Sequence, residues 1–576
     1  MARRHRVVDH IVDYLAAAGV DYMFGVGGAN VEDLYDAAHL SDNITAVLAK
    51  HEFSAVTMAD GYSRASARLG VVMATSGGGS LNLVAGLGES LISRVPVLAL
   101  VGQPPTTLDG CGSFQDTSGH NGSLCAETLF GTVSVYCRRV LTPDDILVAL
   151  PEAVSAAQSG GPAVLLLPKN VQQSNIDVDG ANAALDVPNR RGGDPRPIAR
   201  ALQRALGPVT IVAGEQVARD DARAELEALR ALLRARVATV PDAKDVSGSP
   251  GLGASSWLGV TGVMGHPGVA HAVRNSAVCL LVGTRMAVAA RAGLDDALAA
   301  TRTLSIGSAA PYLPCTHIHT DDLRSSLSQL TRALTGHGRP RGLRVPDPMP
   351  RTELTPPAEH RAGIHYRDAM AVLDSALPDG VDLVVDAGNA GAAAIHHLPV
   401  RRSGRFVIAL GMGGMGYSFG AGIGMAFARR RRTVIVAGDG SFFMHGLELH
   451  TAIQYRLPVT LVLFNNNAHA MCVTREQLFY DDLYSYNRFA PSHLGAGLAA
   501  MFPGLPSVDV ADAAALPGAV RAALEVDGPS VVSIECSADE VPPFAPFLSQ
   551  PPRVADSQTD STVHQNKETT DVFARA

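Results

Sequence analysis

A glycine-flanked acid and a pair of asparagines form the chemically most informative pattern in the sequence. Asp439 follows the apolar run 433–437, and Asn466 follows the apolar run 459–464, with a helical segment between the two. Parallel strands joined by a helix carry their carboxyl ends to one edge of a sheet, so we expect Asp439 and Asn466 to lie side by side. A carboxylate, an amide and a loop carbonyl suit Mg²⁺, which often bridges to phosphate groups. The sequence therefore predicts a magnesium-diphosphate site.

A glycine-rich stretch just upstream allows a different interpretation. Residues 411–416 form a GxGxxG pattern after the strand-like run 405–410, and Asp439 lies about where a dinucleotide fold places its ribose-binding acid. Alone, this pattern would favour a flavin or nicotinamide oxidoreductase. A ribose-binding acid, however, needs neither a glycine after it nor an asparagine pair at the end of the next strand. We keep the oxidoreductase as the weaker alternative.

The first part of the chain holds a second candidate acid. Glu52 follows the apolar run 46–49, precedes the apolar-spaced helix 55–64, and is followed by the glycine-rich segment 75–82. An isolated glutamate at a helix start usually does no more than interact favourably with the helix dipole. Because the same chain also carries the distant metal motif, we expect a more specific role for Glu52.

With both motifs, the chain resembles thiamine diphosphate (ThDP)-dependent enzymes of the acetolactate (acetohydroxyacid) synthase-like group, over about residues 6–548. Shorter segments carry the same resemblance, at 24–29, 161–172, 386–389 and 414–416. The resemblance implies an α/β fold of three doubly wound parallel-sheet domains, which are a pyrimidine-binding, a central and a diphosphate-binding domain. In the family the two outer domains meet across a subunit interface. A homodimer or homotetramer with active sites at that interface is therefore expected.

The resemblance assigns a role to each residue that matches a family motif. Glu52 would hydrogen-bond N1′ of the aminopyrimidine and so promote loss of the proton from thiazolium C2. Asp439, Asn466 and the carbonyl of Ala468 would bind Mg²⁺, and Met415 would wedge under the cofactor. The remaining expected cofactor contacts are Gly25, Asn82, Gly388, Asn389, Gly413, Gly440, Ser441 and Met471.

The loop 112–116 resembles the family's Phe-Gln loop, which reaches towards the substrate. Gln115 would supply an amide to the 2-oxo acid, and Phe114 would supply an apolar wall. His120 is a candidate acid or base, because some relatives use histidines from this loop. The alternatives are a surface turn for the loop and a solvated histidine at position 120.

Two positions depart from the family pattern. Arg475 stands where acetohydroxyacid synthases usually present a tryptophan that selects the acceptor, and Gly78 stands where the family usually has proline. A guanidinium would favour a carboxylate or phosphate on the acceptor. The alternative is a solvent-facing arginine on a helix. The departure at Arg475 puts branched-chain amino-acid biosynthesis in doubt.

Three reactions are compatible with these patterns. The first is carboligation, in which a 2-oxo acid (pyruvate is the expected one) loses CO₂ and the remaining unit is joined to a second carbonyl. The second is simple decarboxylation with release of an aldehyde. Decarboxylases of this superfamily often carry paired histidines in the loop that here holds only His120, which favours carboligation. The third is the oxidoreductase described above.

Linkers rich in glycine and proline divide the chain into three units. We expect domains over 1–175, 197–337 and 360–548, with a polar, disordered tail over 549–576. In the central unit, the segments 263–268 and 283–286 partly match loops that contact FAD in acetohydroxyacid synthases. Arg285 could equally be structural, so FAD is possible but not favoured.

Composition excludes several classes of protein. The net charge of −8 over 576 residues, without a basic tract, argues against nucleic-acid binding. Seven cysteines without CxxC spacing and no apolar signal peptide indicate a reduced, cytoplasmic protein. Residues 406–428 carry no charge and are long enough to span a bilayer, but seven of the 23 are glycine. A strand, a turn and a buried helix explain this segment better than a membrane span.

Overall fold

The computed structural model describes residues 5–177, 190–247, 258–336, 342–345 and 351–549. Three six-stranded sheets, in which every strand pair is parallel, are interleaved with helices. This architecture confirms the predicted α/β fold with three parallel-sheet domains. Apart from its first residue, the tail 549–576 lies outside the described residues.

The first sheet has the strand order β2-β1-β3-β4-β6-β5. Its strands are β1 (Tyr22–Gly25), β2 (Thr45–Leu48), β3 (Gly70–Ala74), β4 (Val97–Gln103), β5 (Tyr136–Arg139) and β6 (Pro162–Pro168). The helices around it are α1 (Val7–Ala17), α2 (Glu32–His39), α3 (Glu52–Ser66), α4 (Gly78–Leu81), α5 (Val84–Ile92), α6 (Ala126–Gly131), α7 (Ile146–Gln158) and α8 (Lys169–Gln173). β3, β4 and β6 are buried at every residue, as parallel strands covered on both faces are.

The central sheet has the order β12-β11-β10-β7-β8-β9. Its strands are β7 (Val209–Ala213), β8 (Arg236–Thr239), β9 (Gly259–Val260), β10 (Val278–Val282), β11 (Thr303–Gly307) and β12 (Thr316–His319). Its helices are α9 (Arg196–Gln203), α10 (Glu215–Arg219), α11 (Arg223–Leu233), α12 (Gly268–Arg274), α13 (Val288–Arg291), α14 (Asp295–Ala300) and α15 (Leu323–Gly336).

The third sheet has the order β14-β13-β15-β16-β18-β17. Its strands are β13 (Asp382–Val385), β14 (Phe406–Ile408), β15 (Thr433–Gly438), β16 (Val459–Asn465), β17 (Ser507–Val510) and β18 (Ser530–Glu535). Its helices are α16 (Tyr366–Ala376), α17 (Asn389–His397), α18 (Tyr417–Arg429), α19 (Asp439–His445), α20 (Leu449–Gln454), α21 (Ala470–Phe479), α22 (Leu494–Met501), α23 (Leu516–Glu525) and α24 (Ala545–Leu548).

The uncharged segment 406–428 forms β14, a glycine turn and the buried helix α18, as expected. None of the helices in the described part of the chain is both long and apolar enough to cross a membrane.

The first and third domains pack together where α3 crosses α18. A Cβ on Gly61 would overlap the backbone of Ala421, and a Cβ on Gly424 would overlap the backbone of Met58. Glycines at these positions therefore let the two helix backbones come into direct contact, as small residues do. This contact fixes the position of α3 against the third domain.

A buried polar network reinforces the same interface. Arg64 on α3 pairs with Asp60 at 2.6 Å and with Glu89 at 3.0 Å. Glu89 also accepts a hydrogen bond from the backbone N–H of Met412 at 2.6 Å, and Asp60 accepts one from the hydroxyl of Tyr417. Buried charges that are paired and hydrogen-bonded in this way are costly to separate.

The crossing predicts that Gly424→Ala destabilises the protein. The added methyl would overlap the carbonyl of Met58 and force the helices apart, at a cost of about 1–3 kcal/mol in the free energy of unfolding. Gly497→Ala on α22 is the matched control, because open space surrounds that position and the change should be neutral or stabilising by up to about 1 kcal/mol. Chemical denaturation measures both, and equal stabilities for the two variants would contradict this packing.

Candidate active site

The three predicted metal ligands lie together at the carboxyl ends of β15 and β16. The strands pair in register with Gly438 opposite Phe464, which places Asp439 beside Asn466. The backbone N–H of Ala468 donates to Asp439 Oδ2 at 3.2 Å and to Asn466 Oδ1 at 3.0 Å. The structure thus brings together the carboxylate, the amide oxygen and the peptide of Ala468.

Tyr366 at the start of α16 fixes the orientation of Asn466. Asn466 Nδ2 donates to the Tyr366 hydroxyl at 3.0 Å, and Tyr366 is buried. Because the nitrogen end of the amide is held by this bond, Oδ1 is the end that faces Asp439. Outer partners of this kind orient metal ligands in proteins.

Asp439 is 1% exposed and forms its hydrogen bonds with backbone donors. Burial raises its pKa to about 6, although the N–H groups of Gly440, Asn467 and Ala468 act in the opposite direction. Across the described residues, no arginine or lysine forms an ion pair with it. A buried carboxylate without a positive partner fits a site whose charge is balanced by a bound cation.

A cavity opens beside this cluster and contains most of the predicted cofactor contacts. It is lined by Gly388, Asn389, Met415, Gly440, Ser441 and Met471, together with Tyr366, His469, Cys472 and the metal cluster. Asn389 Oδ1 and His469 Nδ1 are buried here without a hydrogen-bond partner. Unpartnered polar atoms at the wall of a cavity suit a polar ligand. The residues therefore fit a metal-bound diphosphate.

Asp386, which directly follows β13, holds the walls of this cavity together. Its carboxylate accepts hydrogen bonds from the N–H of Gly416 and of Ser418, each at 2.9 Å, and from the hydroxyl of Ser441 at 2.8 Å. The turn that contains Gly413 and Met415 is thereby attached to the first turn of α19, which begins at Asp439. Gly413 has φ +66°, in the region that favours glycine.

The predicted residues of the first domain form a cluster of their own. Glu52 is the first residue of α3, where the ring of His51 accepts a hydrogen bond from the N–H of Phe53 at 3.1 Å. Asn82 Nδ2 donates to Glu52 Oε2 at 2.9 Å. Gly25 ends β1, and its carbonyl accepts the N–H of Ala49 in the turn before Glu52.

Gln115 joins this cluster through the loop after β3. Its Oε1 lies 3.4 Å from the hydroxyls of Thr75 and Ser76, and its side chain contacts the position where Gly77 lacks a Cβ. Phe114 beside it is 80% exposed. His120 is also exposed, and across the described residues no hydrogen bond joins its ring to Glu52.

All the residues that line the cavity beside Asp439 belong to the third domain. Glu52, Asn82, Gly25 and Gln115 are absent from the lining of the cavity beside Asp439. Arg475, one turn after Met471 on α21, is half-buried and forms no ion pair with any residue that the structure describes.

The central sheet offers a poor fit for FAD at its carboxyl edge. Ligands of such sheets enter where the strand order reverses, here between β7 and β10. Gln216 occupies this position, accepting the N–H of Ser308 at 2.7 Å and donating to the carbonyl of Thr320 at 3.1 Å. Arg285 lies 4.2 Å over the ring of Tyr312. Gln216 is thus held by protein contacts, and Arg285 stacks on Tyr312 while its Nε has no hydrogen-bond partner among the described residues.

The topology also argues against the dinucleotide interpretation of 411–416. In a dinucleotide-binding unit, the strands before and after the glycine helix are neighbours. Here β13 lies between β14 and β15, so Asp439 is not in the position of a ribose-binding acid.

Family models match all three domains in the expected order. The N-terminal TPP binding domain of thiamine pyrophosphate enzymes matches residues 5–122, the central domain matches 196–310, and the C-terminal TPP binding domain matches 386–534. The chain belongs to the thiamine pyrophosphate enzymes. It is therefore a ThDP-dependent enzyme, and the predicted resemblance is confirmed.

Similar proteins of known name are acetolactate synthases. The chain is 28% identical to a probable acetolactate synthase large subunit of Methanocaldococcus jannaschii, over 84% of this chain and 83% of that one. It is 26% identical to the acetolactate synthase isozyme 2 large subunit of Escherichia coli, over 95% and 98%. It is 26% identical to the chloroplastic acetolactate synthase of Arabidopsis thaliana, over 92% and 81%. These likenesses support a ThDP-dependent carboligase.

Three residues at this site were not predicted as functional, and two of them had no local signal. Tyr366 lies 100 residues before Asn466, outside any motif. Asp386 was noted only as part of a matching segment, and its role depends on contacts with three distant elements. His469 was identifiable in principle, because it directly follows the predicted ligand Ala468.

The orientation of Asn466 predicts that Tyr366→Phe weakens ThDP binding in the presence of Mg²⁺. Loss of the hydroxyl frees the amide to turn its nitrogen towards the metal, which should weaken affinity about 10- to 100-fold. Isothermal titration calorimetry measures this change. Tyr136→Phe, which also removes a hydroxyl hydrogen bond, is the control, and Asp439→Ala should abolish binding. Wild-type affinity in Tyr366→Phe would exclude an orienting role.

Proposed function

We propose that the protein is a Mg²⁺- and ThDP-dependent carboligase that removes CO₂ from a 2-oxo acid, with pyruvate the expected donor, and joins the remaining unit to a second carbonyl compound. The observation that carries the proposal is the buried cluster of Asp439, Asn466 and Ala468, in which the Asp439 carboxylate accepts hydrogen bonds from backbone N–H groups and has no ion pair with a described arginine or lysine. FAD is left out of the proposal because Gln216 is engaged in protein contacts at the edge of the central sheet where a ligand would enter.

When bound, ThDP supplies a carbon nucleophile that accepts the 2-oxo acid and stabilises the negative charge left when CO₂ departs. Asp439, Asn466 and the Ala468 carbonyl would hold its Mg²⁺. The methyl of Met415 lies 3.4 Å from the point where a Cβ on Gly440 would stand. From this position, Met415 would support the bound cofactor. Glu52, oriented by Asn82, would hold the proton at the aminopyrimidine.

The separation of the two clusters supports an active site that two copies of the chain complete. Apolar side chains are exposed beside Glu52, at Leu48 and Leu81, and also in and near the loops of the third domain, at Met412, Phe443, Met444 and Leu447. Exposed apolar groups of this kind mark association surfaces. A homodimer or homotetramer would bring Glu52 of one copy to the metal site of the other.

Carboligation is favoured over simple decarboxylation by the loop that carries His120. Release of an aldehyde needs a proton donor near the reacting carbon. His120 is exposed, and among the described residues no hydrogen bond joins its ring to Glu52. The decarboxylase remains the second candidate, and the product decides between the two.

The decisive experiment incubates the purified enzyme with ThDP, Mg²⁺ and pyruvate, alone and with a panel of carbonyl acceptors. Mass spectrometry identifies the products. A ligation product that requires ThDP and Mg²⁺ supports the proposal. Acetaldehyde as the sole product would instead establish the decarboxylase.

Glu52→Gln should retain ThDP binding and lose most of the turnover. The amide cannot take up the proton that the carboxylate exchanges with the aminopyrimidine, so a rate loss on the order of 10²–10⁴-fold is expected. Glu127→Gln is the control, since Glu127 is likewise an acid in the first turn of a helix but is exposed. A Glu52→Gln enzyme with near-wild-type rate would remove Glu52 from the mechanism.

Arg475 supports an anionic acceptor as the second substrate. Its guanidinium lies on the helix that begins beside the metal cluster and has no ion-pair partner among the described residues. A half-buried arginine without a carboxylate is suited to bind a carboxylate or phosphate of a ligand.

Arg475→Trp should therefore weaken an anionic acceptor by about 10- to 150-fold, because a charge-assisted hydrogen bond is lost. Release of CO₂ from the donor should hardly change, since that step precedes binding of the acceptor. Steady-state kinetics with matched anionic and neutral acceptors measure the difference. Arg521→Trp, at an exposed site on α23, is the control. Unchanged acceptor preference in Arg475→Trp would place Arg475 outside the acceptor site.

A further inference from the structure

His469 is held rigidly between the metal cluster and α21. Its N–H donates to the carbonyl of Asn487 at 2.9 Å, and its carbonyl accepts the N–H groups of Cys472 at 2.9 Å and Val473 at 3.1 Å. Its ring meets the ring of Phe489 edge-on, with centroids 4.7 Å apart and planes at 89°. Backbone and ring are therefore both fixed before any ligand binds.

The ring nitrogen Nδ1 faces the start of α19, where Gly440 follows Asp439. It lies 2.5 Å from the point where a Cβ on Gly440 would stand, and the methyl of Met415 lies 3.4 Å from the same point. A side chain at position 440 would therefore displace the imidazole. Only glycine allows the histidine to approach the metal loop this closely.

Nδ1 is also buried, and it has no hydrogen-bond partner among the residues that the structure describes. Polar atoms in such a position are rare, because a buried polar group without its hydrogen bond is costly. His469 and the unpartnered Asn389 Oδ1 line the same cavity. The missing partner of His469 is therefore expected inside that cavity.

We propose that His469 is a cofactor-binding residue, which donates its Nδ1–H to an oxygen of the metal-bound diphosphate. The inference rests on the proposed function. His469 directly follows Ala468, and its ring packs on the residue that directly follows Asp439, so two metal ligands flank the nitrogen. A diphosphate oxygen bound to that metal is the acceptor which this placement favours over the substrate. A neutral imidazole with the proton on Nδ1 performs this role without a change of charge.

The test compares His469→Phe, which keeps a ring and removes the donor, with His469→Asn, whose amide nitrogen stands close to the position of Nδ1. Isothermal titration calorimetry with saturating Mg²⁺ gives the dissociation constants of ThDP and of inorganic diphosphate. His469→Phe should weaken both ligands by the same factor, about 10- to 100-fold. His469→Asn should recover part of the loss. His450→Phe is the control, because His450 is exposed on α20 and packs near Phe502.

Each outcome supports or overturns the inference. Equal affinities of wild type and His469→Phe for both ligands would overturn it, as would a loss confined to ThDP, which would place the contact on the organic part of the cofactor. Equal losses in His469→Phe and His469→Asn would also overturn it, since a restored donor would then recover none of the affinity. Thermal unfolding checks that both variants are folded. Failure of the wild-type protein to bind ThDP would instead overturn the proposed function itself.

Discussion

The candidate site depends on one electrostatic constraint, which is the burial of Asp439 without a positive side chain beside it. Removing a carboxylate from water costs several kcal/mol unless it is paired, and the raised pKa of Asp439 reflects that cost. Backbone N–H groups offset only part of it. The proposed cation would complete the balance, and the hydrogen bond between Asn466 and Tyr366 would then orient the second oxygen ligand.

The packing of α3 on α18 determines where Glu52 lies relative to the third domain. Glu52 begins α3, and the turn with Met415 precedes α18, so the glycine contacts between the helices fix both groups relative to each other. Glu52 nevertheless lies outside the lining of the metal cavity. The proposal that a second copy of the chain completes the active site accounts for this placement of Glu52.

Local sequence patterns were sufficient for the strands and for the metal cluster, but not for what supports them. β15 and β16 match the apolar runs 433–437 and 459–464 to within one residue, because continuous apolar runs between turns define buried parallel strands. Asp439 and Asn466 meet because neighbouring parallel strands end at one edge. The helix α19 that starts at Asp439 was not expected, since two glycines flank the acid. Tyr366 and Asp386 act through contacts between distant segments, which no local pattern contains.

The same distinction separates the cofactor from the substrates. The cofactor residues are constrained by the geometry of a metal and a diphosphate, so they are recognisable even at 26–28% identity to acetolactate synthases. An acceptor imposes no such common geometry, and here the side chain that differs from the family pattern is the cation Arg475. An arginine in place of a tryptophan would favour an anionic acceptor over a neutral one, and it would leave the metal cluster unchanged. The family therefore accounts for the ThDP chemistry of the site, and we propose Arg475 as the residue at which this chain selects the acceptor.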